Sequence, residues 1–138
     1  MRFMPMAVIA AAIMTIAGAA SATDSAEGAK VYIISPADGA TVSSPFKVQF
    51  GLAGMGVAPA GVEKENTGHH HLIIDAPLPP ADEPIPNDEH HKHFGAGQTE
   101  TMLTLPPGKH TLQLLLADWQ HVPHNPPVYS KQITITVK

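Results

Sequence analysis

Three short histidine clusters hold the chemistry this chain could do: Gly68-His69-His70-His71-Leu72-Ile73-Ile74-Asp75, His91-Lys92-His93-Phe94-Gly95 and His121-Val122-Pro123-His124. They contain seven of the nine histidines. Two of them include a His-x-His triplet. On an extended strand, residues i and i+2 project to the same side, so each triplet can aim two imidazoles at one point. Neutral imidazole is the commonest metal-ligating side chain. The candidate ligands are therefore His69, His71, His91, His93, His121 and His124. Ligation by imidazole without thiolate suits Zn(II) or Cu(II) better than Cu(I) or Ca(II). Six rings exceed the four that one tetrahedral zinc takes, which leaves one site with spare rings or two sites. Asp118 is placed to accept an imidazole N–H and orient a ligand from outside the coordination sphere. Trp119 could shield such a site. Protonated imidazole cannot ligate, so binding should weaken below about pH 6.

Blander readings stand beside this one. A polar patch on a strand, a solvated loop and a stiff proline turn would each account for one cluster. His70 shares a face with Leu72 and Ile74 and reads as a core histidine with its polar atoms satisfied. His110 lies on the Leu112 face and His90 in a loop. Neither is assigned as a ligand. Nucleophilic catalysis has no support, because there is neither a Gly-x-Ser-x-Gly elbow nor an H-E-x-x-H helix. Asp82, Glu83, Asp88 and Glu89 could pair, but they sit in a solvated stretch where raised pKa values are not expected. A metal-dependent enzyme would need a base beside an open coordination position. Asp118 and Glu100 are the nearest offers, with no arrangement to recommend them. A non-catalytic module presenting its acidic proline-rich loop to a cell-envelope protein is the alternative to metal binding.

The start of the chain reads as a secretory leader. Arg2 is followed by an apolar stretch from Phe3 to Ala20, and Ala20-Ser21-Ala22 is an A-x-A cleavage site. Residues 1–22 are expected to be removed, so the domain spans 23–138, periplasmic or secreted, with no stable membrane insertion. Removing Arg2 from the 8 basic groups leaves 7 against 12 acidic ones, a net of −5. That charge argues against nucleic acid as a partner. There is no cysteine, hence no disulfide and no thiolate chemistry.

The elements that must position the rings are extended. Lys30–Ile34 reads as a strand and Ser35–Gly39 as a turn. Phe46, Val48, Phe50 and Leu52 alternate with Lys47 and Gln49 on a second strand. Ala53–Gly68, rich in glycine and small residues, reads as a loop. His69–Asp75 is a strand whose Leu72 and Ile74 suit the core, which turns His69 and His71 outward. Ala76–His90 carries five prolines and forms a long loop. Thr99–Leu105 and Lys109–Ala117 read as a β-hairpin about a type II turn at Pro107-Gly108. Asp118–Pro127 is a loop, and Tyr129–Val137 a last strand with Ile133, Ile135 and Val137 inward. No segment after the leader has a sustained helical period. The expectation is an all-β, antiparallel, immunoglobulin-like β-sandwich of six to seven short strands.

With these blocks quoted, the chain resembles the exported bacterial family DUF4399, a domain of unknown function. The likeness runs from about Gly68 to Val137. It rests on the two triplet blocks, the second continued through Gln98-Thr99-Glu100, on Pro107-Gly108-Lys109-His110-Thr111-Leu112-Gln113-Leu114, and on His121–His124 continued through Pro126-Pro127-Val128. Ser35–Phe50 also looks like the opening of many bacterial immunoglobulin-like domains. The resemblance implies export and supplies no activity to carry over.

Overall fold

A computed structural model describes residues 22–138; the expected leader at 1–22 therefore lies outside the described residues, save Ala22. The described residues form nine strands: β1 (Lys30–Ser35), β2 (Thr41–Val42), β3 (Phe46–Ala53), β4 (Gly56–Val57), β5 (Thr67–Ile74), β6 (His91–His93), β7 (Glu100–Leu103), β8 (Gly108–Ala117) and β9 (Ile133–Val137). They make two sheets, one ordered β1-β3-β7 and one ordered β2-β9-β8-β5-β4, with β6 pairing β5. The fold is an all-β sandwich. Two of its short pairings, β2 with β9 and β4 with β5, are parallel. No helix among the described residues is long and apolar enough to cross a membrane.

The core lies between the sheets. Phe46, Val48 and Phe50 of β3 face Leu72 and Ile74 of β5, Leu112, Leu114 and Leu116 of β8, and Ile133, Ile135 and Val137 of β9. Alternation on β3 and β9 follows from a sheet with one wet face. β8 differs, because Leu112–Ala117 is buried without interruption. Its other face, with Leu115 and Ala117, packs with Ile73 under Ile85 of the proline-rich loop. A strand covered on both sides tolerates a continuous apolar run. The same cover explains why β5 is buried from Gly68 to Ile74.

The expected hairpin is not formed. β7 pairs β3, with Phe46 opposite Leu103, whereas β8 pairs β5 and β9. The segment between β7 and β8 crosses from one sheet to the other. Pro106 and Pro107 have no N–H to contribute to a ladder, which suits a crossing segment better than a tight turn. The last strand is also shorter than expected: Tyr129 makes only an isolated bridge to Leu115.

Asp75 ends β5 in the left-handed region, at φ 54°. Its carboxylate accepts the Thr111 amide at 2.9 Å and the His110 ring at 2.6 Å. The other His110 nitrogen donates to the Pro106 carbonyl at 2.7 Å. With both nitrogens donating, the ring is an imidazolium, and the Asp75 hydrogen bond raises its pKa. A raised pKa adds stability that is complete below the unfolded value near 6.5 and is lost as pH rises through the folded value. Asp75→Asn should cost about 1 kcal/mol near pH 6, the scale of a solvent-screened pair, and less at pH 8. Chemical unfolding at the two pH values checks this; an equal loss at both would rule out the imidazolium.

Candidate metal centre

β5 supplies two rings. His69 and His71 lie on the same side as Ile73, away from the inter-sheet core, with ring centroids 4.8 Å apart. That face is outward from the core, as the apolar pattern of Leu72 and Ile74 requires. It is not wet, since His69 and His71 are 0% and 1% exposed. β6 supplies the third ring. Its register sets His93 directly across from His71, and the centroids are 5.1 Å apart. The loop after β8 supplies the fourth. His121 Nδ1 lies 3.2 Å from His69 Nε2, and its centroid is 4.6 Å from that of His93.

One ring nitrogen from each of His69, His71, His93 and His121 lies within 4.8 Å of every other. A tetrahedral ion with ~2.05 Å bonds holds its nitrogens about 3.3 Å apart. The His69–His121 pair already has that spacing, and the remaining rings need close by no more than about 1.5 Å. His93 Nε2 is buried with no hydrogen-bond partner in the protein. A buried acceptor without a donor is unfavourable, and a cation would satisfy it.

The electrostatics keep His69, His71 and His93 neutral. Burial pushes His71 down to about 2, helped by its neighbours His69, His93 and His121. Burial and the rings of His121 and His93 push His69 down to about 4, with Asp118 opposing. His93 is lowered for the same reasons, burial first and His121 second. Neutral imidazole is the ligating form, so His69 and His71 hold it well below the pH 6 limit of an ordinary histidine.

His121 is over-determined. It sits at φ 66°, uncommon for a residue with a side chain. Its amide donates to the Asp118 carbonyl at 3.0 Å, and its carbonyl accepts the Ile85 amide at 2.8 Å. Asp118 Oδ1 accepts the amides of Gln120 and Val122 at 2.9 and 3.1 Å. Asp118 thus positions the His121 ring through the loop backbone, with no hydrogen bond to an imidazole among the described residues.

His91 and His124 fall outside the group. His91 is opposite Ile73, farther along the strand pair, and its Nδ1 is bonded to Asp88 at 2.7 Å. His124 is buried, and its Nε2 donates to the Thr67 carbonyl at 3.0 Å, tying the loop to the start of β5. His70 packs in the core against Phe50, centroids 5.1 Å apart, and neither of its nitrogens has a partner. It is a core histidine, as expected, but not a satisfied one, and burial pushes its pKa down to about 4.

Gly95, in a glycine-bearing stretch that fits either a close approach or any tight corner, shapes the site. A Cβ there would overlap the His93 ring. The His93-Phe94-Gly95 spacing, with Phe94 packed on Phe50 in the core, is the local signal. Gly95→Ala should displace the ring and weaken ion binding about tenfold, in the range of changes just outside a coordination sphere, with little change in metal-free stability. Paired calorimetric and thermal titrations check this; undiminished affinity would show that His93 is not a ligand.

No curated protein matches the chain, and no solved structure does. A family model described as a domain of unknown function, DUF4399, matches residues 48–138. That span contains all four clustered rings and more than half of the chain, and the chain belongs to this family.

Proposed function

We propose that this is an exported protein, periplasmic or secreted, that holds one divalent transition-metal ion through His69, His71, His93 and His121. The observation that carries the reading is the convergence of four ring nitrogens within 4.8 Å, two from buried and two from half-buried histidines. Their chemistry supports Zn(II) or Cu(II), borderline ions that accept all-imidazole ligation. Four neutral nitrogens complete a tetrahedron, which suits a closed, non-catalytic site better than one reserving a position for water. His69, His71 and His93 would take the ion without displacing protons at neutral pH, because their depressed pKa values already keep them neutral.

Isothermal calorimetry on the metal-stripped chain 23–138 tests this. About one Zn(II) or Cu(II) per chain is expected, with a dissociation constant on the order of micromolar or tighter at pH 7. Millimolar or absent binding of both ions rejects the reading.

A further inference from the structure

The first described residues are clipped to the loop that carries the fourth ring. Thr23 Oγ1 donates to Asp118 Oδ2 at 2.8 Å, and the Thr23 amide donates to the same oxygen at 3.3 Å. The Thr23 carbonyl accepts the Asn125 amide at 2.9 Å, and the Ser25 amide donates to the Asn125 carbonyl at 3.1 Å. The Ser25 hydroxyl donates to the Pro126 carbonyl at 2.8 Å. Asp118 is 1% exposed. Its carboxylate takes donors from Thr23, Gln120 and Val122, all of them neutral. Among the described residues no Lys, Arg or His forms an ion pair with it. A buried carboxylate without a cation is costly.

The A-x-A pattern puts the scissile bond between Ala22 and Thr23. We propose that removal of the leader supplies the missing cation: the new N-terminal ammonium of Thr23 pairs with Asp118 and locks the loop that presents His121. A leader peptidase adds water across the Ala22–Thr23 amide. The hydroxyl goes to the Ala22 carbonyl carbon, which leaves as a carboxylate with the leader, and a proton goes to the Thr23 nitrogen. That amine then takes a second proton from solvent. A neutral amide donor becomes a three-donor cation at the same place, and a charge-assisted hydrogen bond is about twice as strong as a neutral one.

The setting is a cleft of about 300 Å³ lined by Thr23, Asp118, Trp119 and His69. The charged groups sharing it are Asp24, Glu63, Lys64 and Glu65, three acidic against one basic, which also favour an ammonium. Maturation thereby regulates the metal centre. This last link rests on the metal reading; the ion pair does not.

The test compares the chain beginning at Thr23 with the same chain Nα-acetylated, which keeps the donor and removes the charge. Mass spectrometry of the exported protein should show Thr23 as the first residue. NMR titration should show the Thr23 amine keeping its proton above the ordinary range of about 7.7–8.0. Asp118→Asn should return it to that range. Amide exchange at residues 118–124 should be slower in the free-amine form, and Zn(II) affinity several-fold tighter. A first residue other than Thr23, or an ordinary amine titration with equal exchange in both forms, overturns the lock. If neither form takes Zn(II), the metal reading fails, while titration and exchange still decide the ion pair.

Discussion

Replacing His71 with leucine is expected to abolish tight ion binding while leaving the metal-free protein at least as stable. His71 has the most depressed pKa of the clustered rings, on β5 beside His69 and opposite His93. Removing one of four ligands should weaken affinity by on the order of a hundredfold or more, beyond the losses seen for outer-shell changes. The stability effect runs the other way. His71 is buried among like rings, and its Nδ1 has no partner. An apolar side chain of similar size removes that unsatisfied atom, a gain of about 1–3 kcal/mol before any packing mismatch. A histidine that merely filled the core would show no change in ion binding. His91→Leu is the control, and its affinity should stay within about threefold, because Asp88 already engages that ring outside the cluster. Calorimetry and urea unfolding on the three proteins decide the matter. Unaltered affinity in His71→Leu would remove it from the ligand set.

The second large effect is acid sensitivity of the metal-free chain. His69, His70 and His71 all have folded pKa values pushed down by burial, to about 4, about 4 and about 2. In the unfolded chain each titrates near 6.5. A depressed folded pKa means that the full contribution is present above 6.5 and is lost as pH falls toward the folded value. Between about pH 6 and pH 4 the unfolded state binds up to three protons that the native state refuses. The slope is then as much as roughly 4 kcal/mol per pH unit, and the total rivals the whole stability of a small domain. Urea midpoints between pH 7.5 and 4.5 should fall steeply below pH 6.5. Saturating Zn(II) should raise the midpoints at the upper end of that range, because the ion binds only the folded form. A flat profile would mean that these rings protonate freely in the native state and are not enclosed.

Much of this was legible in the residues. Alternation identified β3 and the inward set of β9, and the His-x-His triplets pointed to the rings of His69, His71 and His93, though not to the strand pairing that sets His71 opposite His93. The partnership of the strands was less accessible. β7 and β8 both carry inward leucines, and such a pattern says that a strand has a core face without saying which sheet it joins. The selection among the six rings was likewise set by tertiary contacts. His91 and His93 share a triplet, and only the position of Asp88 at one end and the proximity of His121 at the other separates them. The cover over Ile73 and Leu115 depends on Ile85, a lone apolar residue in a proline-rich loop whose role emerges only when the two strands lie beneath it. His110 and His124 were treated as incidental or as ligands, whereas their carbonyl and carboxylate partners lie far away in sequence.

The four rings come from β5, β6 and the segment after β8, with His69 and His121 separated by 52 positions. An ion shared among them would close two long loops of a chain that contains no cysteine. Covalent bridges tighten small exported domains by restricting the denatured ensemble. Here a coordinated ion would give a comparable tether, reversible by chelators and with no sulfur–sulfur bond to reduce, so the mechanical integrity of the fold would follow the local supply of metal.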